Sequence, residues 1–300
     1  MALDSKRAQF ALLEAVVSAG ITHFDTAPYY GYGAVEPLLG EFLKTHGVSA
    51  TVTTKFGIQP PPRIARGNVI MSAARRIGRI SPRLRGLMAR GAATMVSHGS
   101  FEAATAERNL RDSLRNLGRE RIDYYLLHEP TAADTERPGL QAFLETAVAD
   151  GRIGRFGTGG EWRRVREVIA LAPSFASVLQ FDNAAPQDRV PLVQDPNRLI
   201  ATFGCVGPAI KLLRQRRVID FDRYATLLRQ CGIDPMDEEA LGAALLARAV
   251  ARNPEGIVLF ATHHLSRLQK SVRAVEAGEF TTTHFKVLDG LLAEDNDSRS

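Results

Sequence analysis

Cysteine is nearly missing from the chain: Cys205 and Cys231 are the only two. Two thiols cannot build a disulfide framework, which fits a reducing compartment and a cytoplasmic protein. No run approaches the roughly 18 apolar residues of a membrane span, and the opening "MALDSKRAQF" has no apolar core of signal-peptide length. Acidic residues are absent between Glu41 and Glu102, where Arg63, Arg66, Arg75, Arg76, Arg79, Arg83, Arg85 and Arg90 all lie. That gap explains the net charge: taking those eight arginines from +5 leaves −3. A slightly acidic remainder excludes a general polyanion binder, so no nucleic-acid partner is expected. Also missing is a G-x-G-x-x-G after the first apolar strand, which removes support for the open dinucleotide-binding sheet. There is no internal repeat.

What is present is ordinary in bulk. A chain of 300 residues, 45% hydrophobic and 24% charged, is sufficient for one large α/β domain. Apolar residues at helical spacing predict a helix over 5–19, stopped by Gly20, and others over 34–45, 101–117, 138–149, 161–171, 207–214, 237–252 and 265–277. Short apolar or β-branched runs predict strands at 21–25, 50–55, 122–128, 153–157, 177–181, 199–203 and 256–260. Strands alternating with longer helices imply a parallel sheet with helical crossovers. Seven of them favour a (β/α)8 TIM-type barrel that lacks its first strand. A single domain over 1–292 is expected, with a basic insertion at 57–100 broken by "QPPPR" and a disordered polar tail at 293–300.

Three of these strands end on an ionisable residue: Asp25, Lys55 and His128. In a barrel the C-terminal strand ends share one rim, where active sites form. Tyr30 follows Asp25 by five residues on the loop leaving that rim. Tyrosine alone titrates at about 10, and a neighbouring Lys55 cation is expected to lower that value. Asp25 would keep the lysine charged and oriented, His128 would donate a hydrogen bond to a substrate oxygen, and Tyr30 would act as general acid or base. The remaining participant is a hydride carrier, for which a nicotinamide is the natural candidate. A metal-dependent hydrolase would need several His or carboxylate ligands at strand ends, and one such end carries lysine.

The segments "AVVSAGITHFDTAPYYGYGAVEPLLGEFL", "VTTKFG", "LRDSLRNLGRERIDYYLLHEP", "GRIGRFGTGG" and "VLQFDN" resemble the aldo-keto reductase family, in the family's order over roughly residues 10–275. Within it, the long segment after "TKFG" is more like the bacterial sugar and aldehyde members. The resemblance implies a (β/α)8 barrel that reduces carbonyls with NADPH, NADH being the alternative, and puts Asp25, Tyr30, Lys55 and His128 on the catalytic tetrad. It implies an adenosine-phosphate site in "FATHHLSRLQKSV", with Arg267 toward the 2′-phosphate and Thr262 and Ser271 near by. Gln180 would contact the nicotinamide amide and Phe203 would stack beneath the ring. Tyr29 and Trp162 are candidates for the substrate pocket. The expected partner is a small carbonyl or sugar substrate, and the expected state a monomer or weak oligomer with no membrane association. Gly159 and Gly160 stand where the family has Ser-Asn, so two side-chain hydrogen bonds to the carboxamide are lost, each worth about 0.5–1.5 kcal/mol. That loss and the missing strand also fit a binding or regulatory protein on the same fold with impaired cofactor binding.

Overall fold

The computed structural model describes residues 5–58 and 100–293. The expected insertion at 57–100 and tail at 293–300 therefore lie almost wholly outside the described residues. The fold is α/β, with seven parallel strands following one another in chain order. This is the repeat of a (β/α)8 barrel short of one strand among the described residues. The chain divides into two compact units. One is His23–Gly159 with Ala170–Phe175, and the other contains the N-terminal helix, Gly160–Ile169 and the rest of the chain from Ala176.

In the first unit β1 (His23–Asp25) pairs with β2 (Thr51–Phe56), β2 with β3 (Ile122–His128), and β3 with β4 (Ile153–Gly160). Helices α2 (Val35–Thr45), α3 (Ala103–Leu117), the short α4 (Ala132–Thr135) and α5 (Leu140–Ala149) join them. Strand periodicity sends Val52, Thr54 and Phe56 to the helix-covered face. There Phe56 stacks on Tyr125 at 4.8 Å, and the Tyr125 hydroxyl donates to the Ala106 carbonyl of α3 at 2.8 Å. Glu36 on α2 is buried with no cation partner among the described residues. It accepts from Thr54 (2.7 Å), Ser113 (2.8 Å) and Asn116 (3.3 Å), so three neutral donors tie α2, β2 and α3 together.

Gly40 is the close-approach point of α2 and α3. A Cβ there would sit 2.5 Å from the Asn116 carbonyl oxygen and 2.6 Å from Leu117 Cα. Both obstacles are backbone and cannot rotate away. Gly40→Ala should therefore destabilise the protein by about 1–3 kcal/mol despite alanine's better helix propensity. A denaturant midpoint equal to the wild type's would refute this packing.

The second unit holds α1 (Lys6–Ser18), capped by Ser5, most of α6 (Trp162–Leu171), and β5 (Val178–Asp182), β6 (Leu199–Phe203) and β7 (Ile257–Val258). Strand β5 pairs with β6, and β6 with β7. Helices α7 (Gly207–Ile219), α8 (Phe221–Gln230), α9 (Glu238–Arg252), α10 (Leu265–Glu276) and α11 (Thr282–Ala293) complete it. Two of these, α8 and α11, have no counterpart among the predicted helices. Helix α8 starts on Asp220, whose side chain caps it by accepting from Arg223 N–H, directly after a charged run at the end of α7. The core of this helical part contains Leu213, Tyr224, Leu228, Leu241, Leu245 and Leu288. Arg248, 2% exposed, crosses it to Asp289 (2.5 Å) and to the Pro186 carbonyl (3.2 Å). No described helix is long and apolar enough to cross a membrane.

Candidate active site

The face of the first unit opposite its helices is built by the same period of two. His23 and Asp25 of β1, Thr51, Thr53 and Lys55 of β2, and Tyr124, Leu126 and His128 of β3 share it by register. Lys55, 2% exposed, has all three ammonium protons satisfied. Its Nζ donates to Asp25 Oδ1 (2.8 Å), Asp25 Oδ2 (2.7 Å) and the Thr26 carbonyl (3.0 Å). Burial pulls the lysine pKa down, and the Asp25 carboxylate opposes that pull.

Tyr30 comes next along the chain. The Ala27 carbonyl accepts its N–H at 3.0 Å, and a single 3₁₀ turn, Tyr30–Gly33, follows. Gly31 makes that turn at φ +59°, where a Cβ would also lie 2.9 Å from Val35 Cγ2. The phenol ring is thus set under Lys55, whose Nζ stands 5.1 Å from its centroid. The His128 ring meets it edge-on at 6.1 Å. Tyr29 packs against both, 4.9 Å from Tyr30 and 5.3 Å from His128. All four residues of the expected tetrad, and Tyr29, are brought together.

One electrostatic expectation is corrected here. Lys55 does not draw the Tyr30 pKa below 10. Burial, reinforced by the Asp25 charge, pushes it well above the usual phenol value. The Asp25 carboxylate that pairs with Lys55 offsets the ammonium's charge, and itself disfavours a phenolate. The half-buried Tyr30 phenol therefore keeps its proton at neutral pH.

His128 is 8% exposed, and its Nδ1 has no hydrogen-bond partner among the described residues. Burial, then the Lys55 charge, pushes its pKa down to about 3, so the ring is neutral at physiological pH. The buried Thr26 hydroxyl is unpartnered in the same way. Glu129, next in the chain, takes a left-handed backbone with φ +57°, uncommon outside glycine and asparagine. Its charge helps raise both Tyr29 and Tyr30. Nothing in the sequence at Glu129 announces that conformation.

The remaining candidates lie at strand and helix ends. Gly159 aligns with His128 in the β3–β4 register, and Gly160 closes β4. With no side chain, neither offers a hydroxyl or amide group. In the second unit Gln180, 3% exposed, shares a strand face with Asp182 and Phe203. Trp162 opens α6: its N–H donates to Asp182 Oδ1 at 2.6 Å, its ring packs on Phe181 at 5.1 Å, and the Arg189 guanidinium covers it at 5.9 Å. Thr262 exchanges hydrogen bonds with the His264 backbone. Ser271 is buried on α10. Arg267, 53% exposed, pairs with Glu239.

Helix α10 has no side-chain cap at its N-terminus. Its first amides are therefore open to an anion such as a diphosphate. Among the described residues no group of three or more His, Cys, Asp or Glu side chains could hold a metal ion.

Residues 4–193 match the Aldo/keto reductase family. A pyridoxal 4-dehydrogenase of Microbacterium luteolum is 28% identical over 286 residues, covering 82% of this chain and 80% of its own. A D-threo-aldose 1-dehydrogenase of a Pseudomonas species is 32% identical over 155 residues, covering 50% of this chain and 43% of its own. The holo form of an aldo-keto reductase from Bacillus halodurans shares the fold with a TM-score of 0.66 at 21% identity, over 99% of this chain and 91% of that one. The glycerol dehydrogenase of Gluconobacter oxydans does so at 0.64 and 18% identity, over 96% and 85%. With more than half its length matched to the family and the fold shared throughout, the chain belongs to the aldo/keto reductases.

Proposed function

We propose that this protein is a nicotinamide-dependent oxidoreductase that interconverts a carbonyl, in an aldehyde, ketone or sugar lactone, with the corresponding alcohol or lactol. The observation that carries the reading is the position of Tyr30: its ring lies between the Lys55 ammonium at 5.1 Å and the His128 ring at 6.1 Å. A bound reduced nicotinamide would supply the hydride. The chain's own residues do the rest. Tyr30 holds its proton until an alkoxide needs it, because burial and Asp25 keep the phenol neutral. His128, neutral at physiological pH, would give a substrate oxygen an uncharged hydrogen-bond donor. Lys55 and Asp25 fix the phenol's surroundings. The start of α10 would hold the dinucleotide's phosphates, with Thr262, Arg267 and Ser271 beside it. Gln180 and Phe203 would meet the nicotinamide end, where Gly159 and Gly160 contribute backbone only. The two dehydrogenase relatives are named for pyridoxal and an aldose, which supports an aldehyde or sugar substrate.

The test is the loss of reduced-nicotinamide absorbance with a panel of aldehydes and aldoses, run on wild type and Tyr30→Phe. Turnover should fall roughly 100-fold or more in the variant, with its circular dichroism unchanged. Wild-type protein inactive across the panel, or a variant as fast as wild type, would overturn the proposal.

A further inference from the structure

The start of α9 and the start of α10 pack against each other, and their charges match one for one. Arg214 of α7 makes a two-pronged bond to Glu238, at 2.8 and 2.6 Å. Lys270 of α10 donates to Asp237 at 2.5 Å. Arg267 Nε donates to Glu239 Oε1 at 3.3 Å, and Ser266 Oγ donates to the same oxygen at 3.3 Å. Three acids at the beginning of α9 thus meet three bases. The remaining base of α10, Arg273, sits in the last turn, three residues beyond Lys270. Glu239 Oε2 accepts no hydrogen bond among the described residues, and the side chain is 37% exposed.

We infer that Glu239 makes NAD(H), with its free 2′-hydroxyl, the preferred dinucleotide over NADP(H), with its 2′-phosphate. The inference rests on the proposed placement of a nicotinamide dinucleotide at the start of α10. A 2′-phosphate brings about −1.5 to −2 charges and needs an uncommitted cation. Arg267, the base of the first turn of α10, is already paired with Glu239. A phosphate docking on it would either break the Arg267–Glu239 pair or lie against the Glu239 carboxylate. Either route costs free energy that a hydroxyl does not incur. A 2′-hydroxyl has the opposite character: it is a donor, and the Glu239 carboxylate, whose Oε2 accepts no hydrogen bond among the described residues, would accept from it. Carboxylate for the ribose hydroxyl and arginine for the phosphate is the general chemical rule for telling the two dinucleotides apart. Here the carboxylate has taken the arginine. This departs from the NADPH expectation drawn from Arg267 alone.

The experiment is calorimetric titration of NADH and NADPH into wild type and Glu239→Gln, independent of any substrate. Wild type should bind NADH at least tenfold more tightly. In Glu239→Gln, whose melting temperature should stay near wild type, the preference should shrink by tenfold or invert, with NADPH binding gaining as Arg267 is released. Tighter wild-type binding of NADPH, or a preference unmoved by the substitution, overturns this inference and leaves the proposed activity standing. Binding of neither dinucleotide overturns both together.

Discussion

Replacing Asp25 with alanine should cost the folded protein about 3–5 kcal/mol, the usual penalty for removing one partner of a buried ion pair. Lys55 is 2% exposed, and two of its three hydrogen bonds end on the Asp25 carboxylate. Without that carboxylate the ammonium must stay charged in a poor dielectric or shed its proton, and burial already presses it toward shedding. The loss is specific to the unmatched charge. Asp25→Ala combined with Lys55→Met should therefore be more stable than Asp25→Ala alone, because the methionine fills the space without a charge. Urea denaturation of the three proteins checks this. A single-variant cost under about 1 kcal/mol, or a double variant worse than the single, would mean that the pair is not buried as described.

The second large effect is a loss of stability in acid, traced to His128. In the unfolded chain a histidine titrates near 6.5, whereas in the folded protein burial and Lys55 hold His128 at about 3. Between those values the unfolded chain takes up a proton that the native site refuses. Stability is therefore full above pH 6.5 and falls as the pH drops toward 3. The slope approaches about 1.4 kcal/mol per pH unit, giving roughly 2 kcal/mol by pH 5 and about 4 kcal/mol by pH 3. His23, also lowered by burial, adds in the same direction. Carboxylates such as Asp237 and Glu238 are held below their ordinary range by Lys270 and Arg214, so they too lose stabilisation in acid. The difference between wild type and His128→Gln isolates the histidine. The variant's stability should fall less steeply between pH 6.5 and 5, and parallel curves would remove the argument.

How much of this could be read from the sequence depends on whether a residue's partner is set by strand order or by side-chain packing. Asp25 and His128 close their strands and Lys55 stands one residue short of the end of β2, and parallel strands align their ends, so their convergence followed from strand order and periodicity. Tyr30 came with them because a five-residue turn cannot carry it far. The strand boundaries agree within about two residues at most places, and only β7 is much shorter, Ile257–Val258 against an expected 256–260. The sign of the Tyr30 shift was not legible, since it depends on burial and on the Asp25 charge. Nor was the pairing of Glu239 with Arg267, 28 positions apart, which exists only because two helices lie side by side. The burial of Glu36 among neutral donors is the same kind of fact: its three donors come from β2 and α3, and nothing in "GAVEPLLG" names them.

The N-terminal helix has a consequence for how the protein is made. Helix α1 buries no residue of its own and rests against α10, in the unit that otherwise begins at Gly160. At a synthesis rate of roughly 5–20 residues per second, some 12–50 s separate the emergence of these two helices from the ribosome. Helix α1 thus leaves the exit tunnel well before its seat on α10 exists, and the intervening unit can reach its native pairing while α1 waits in solvent.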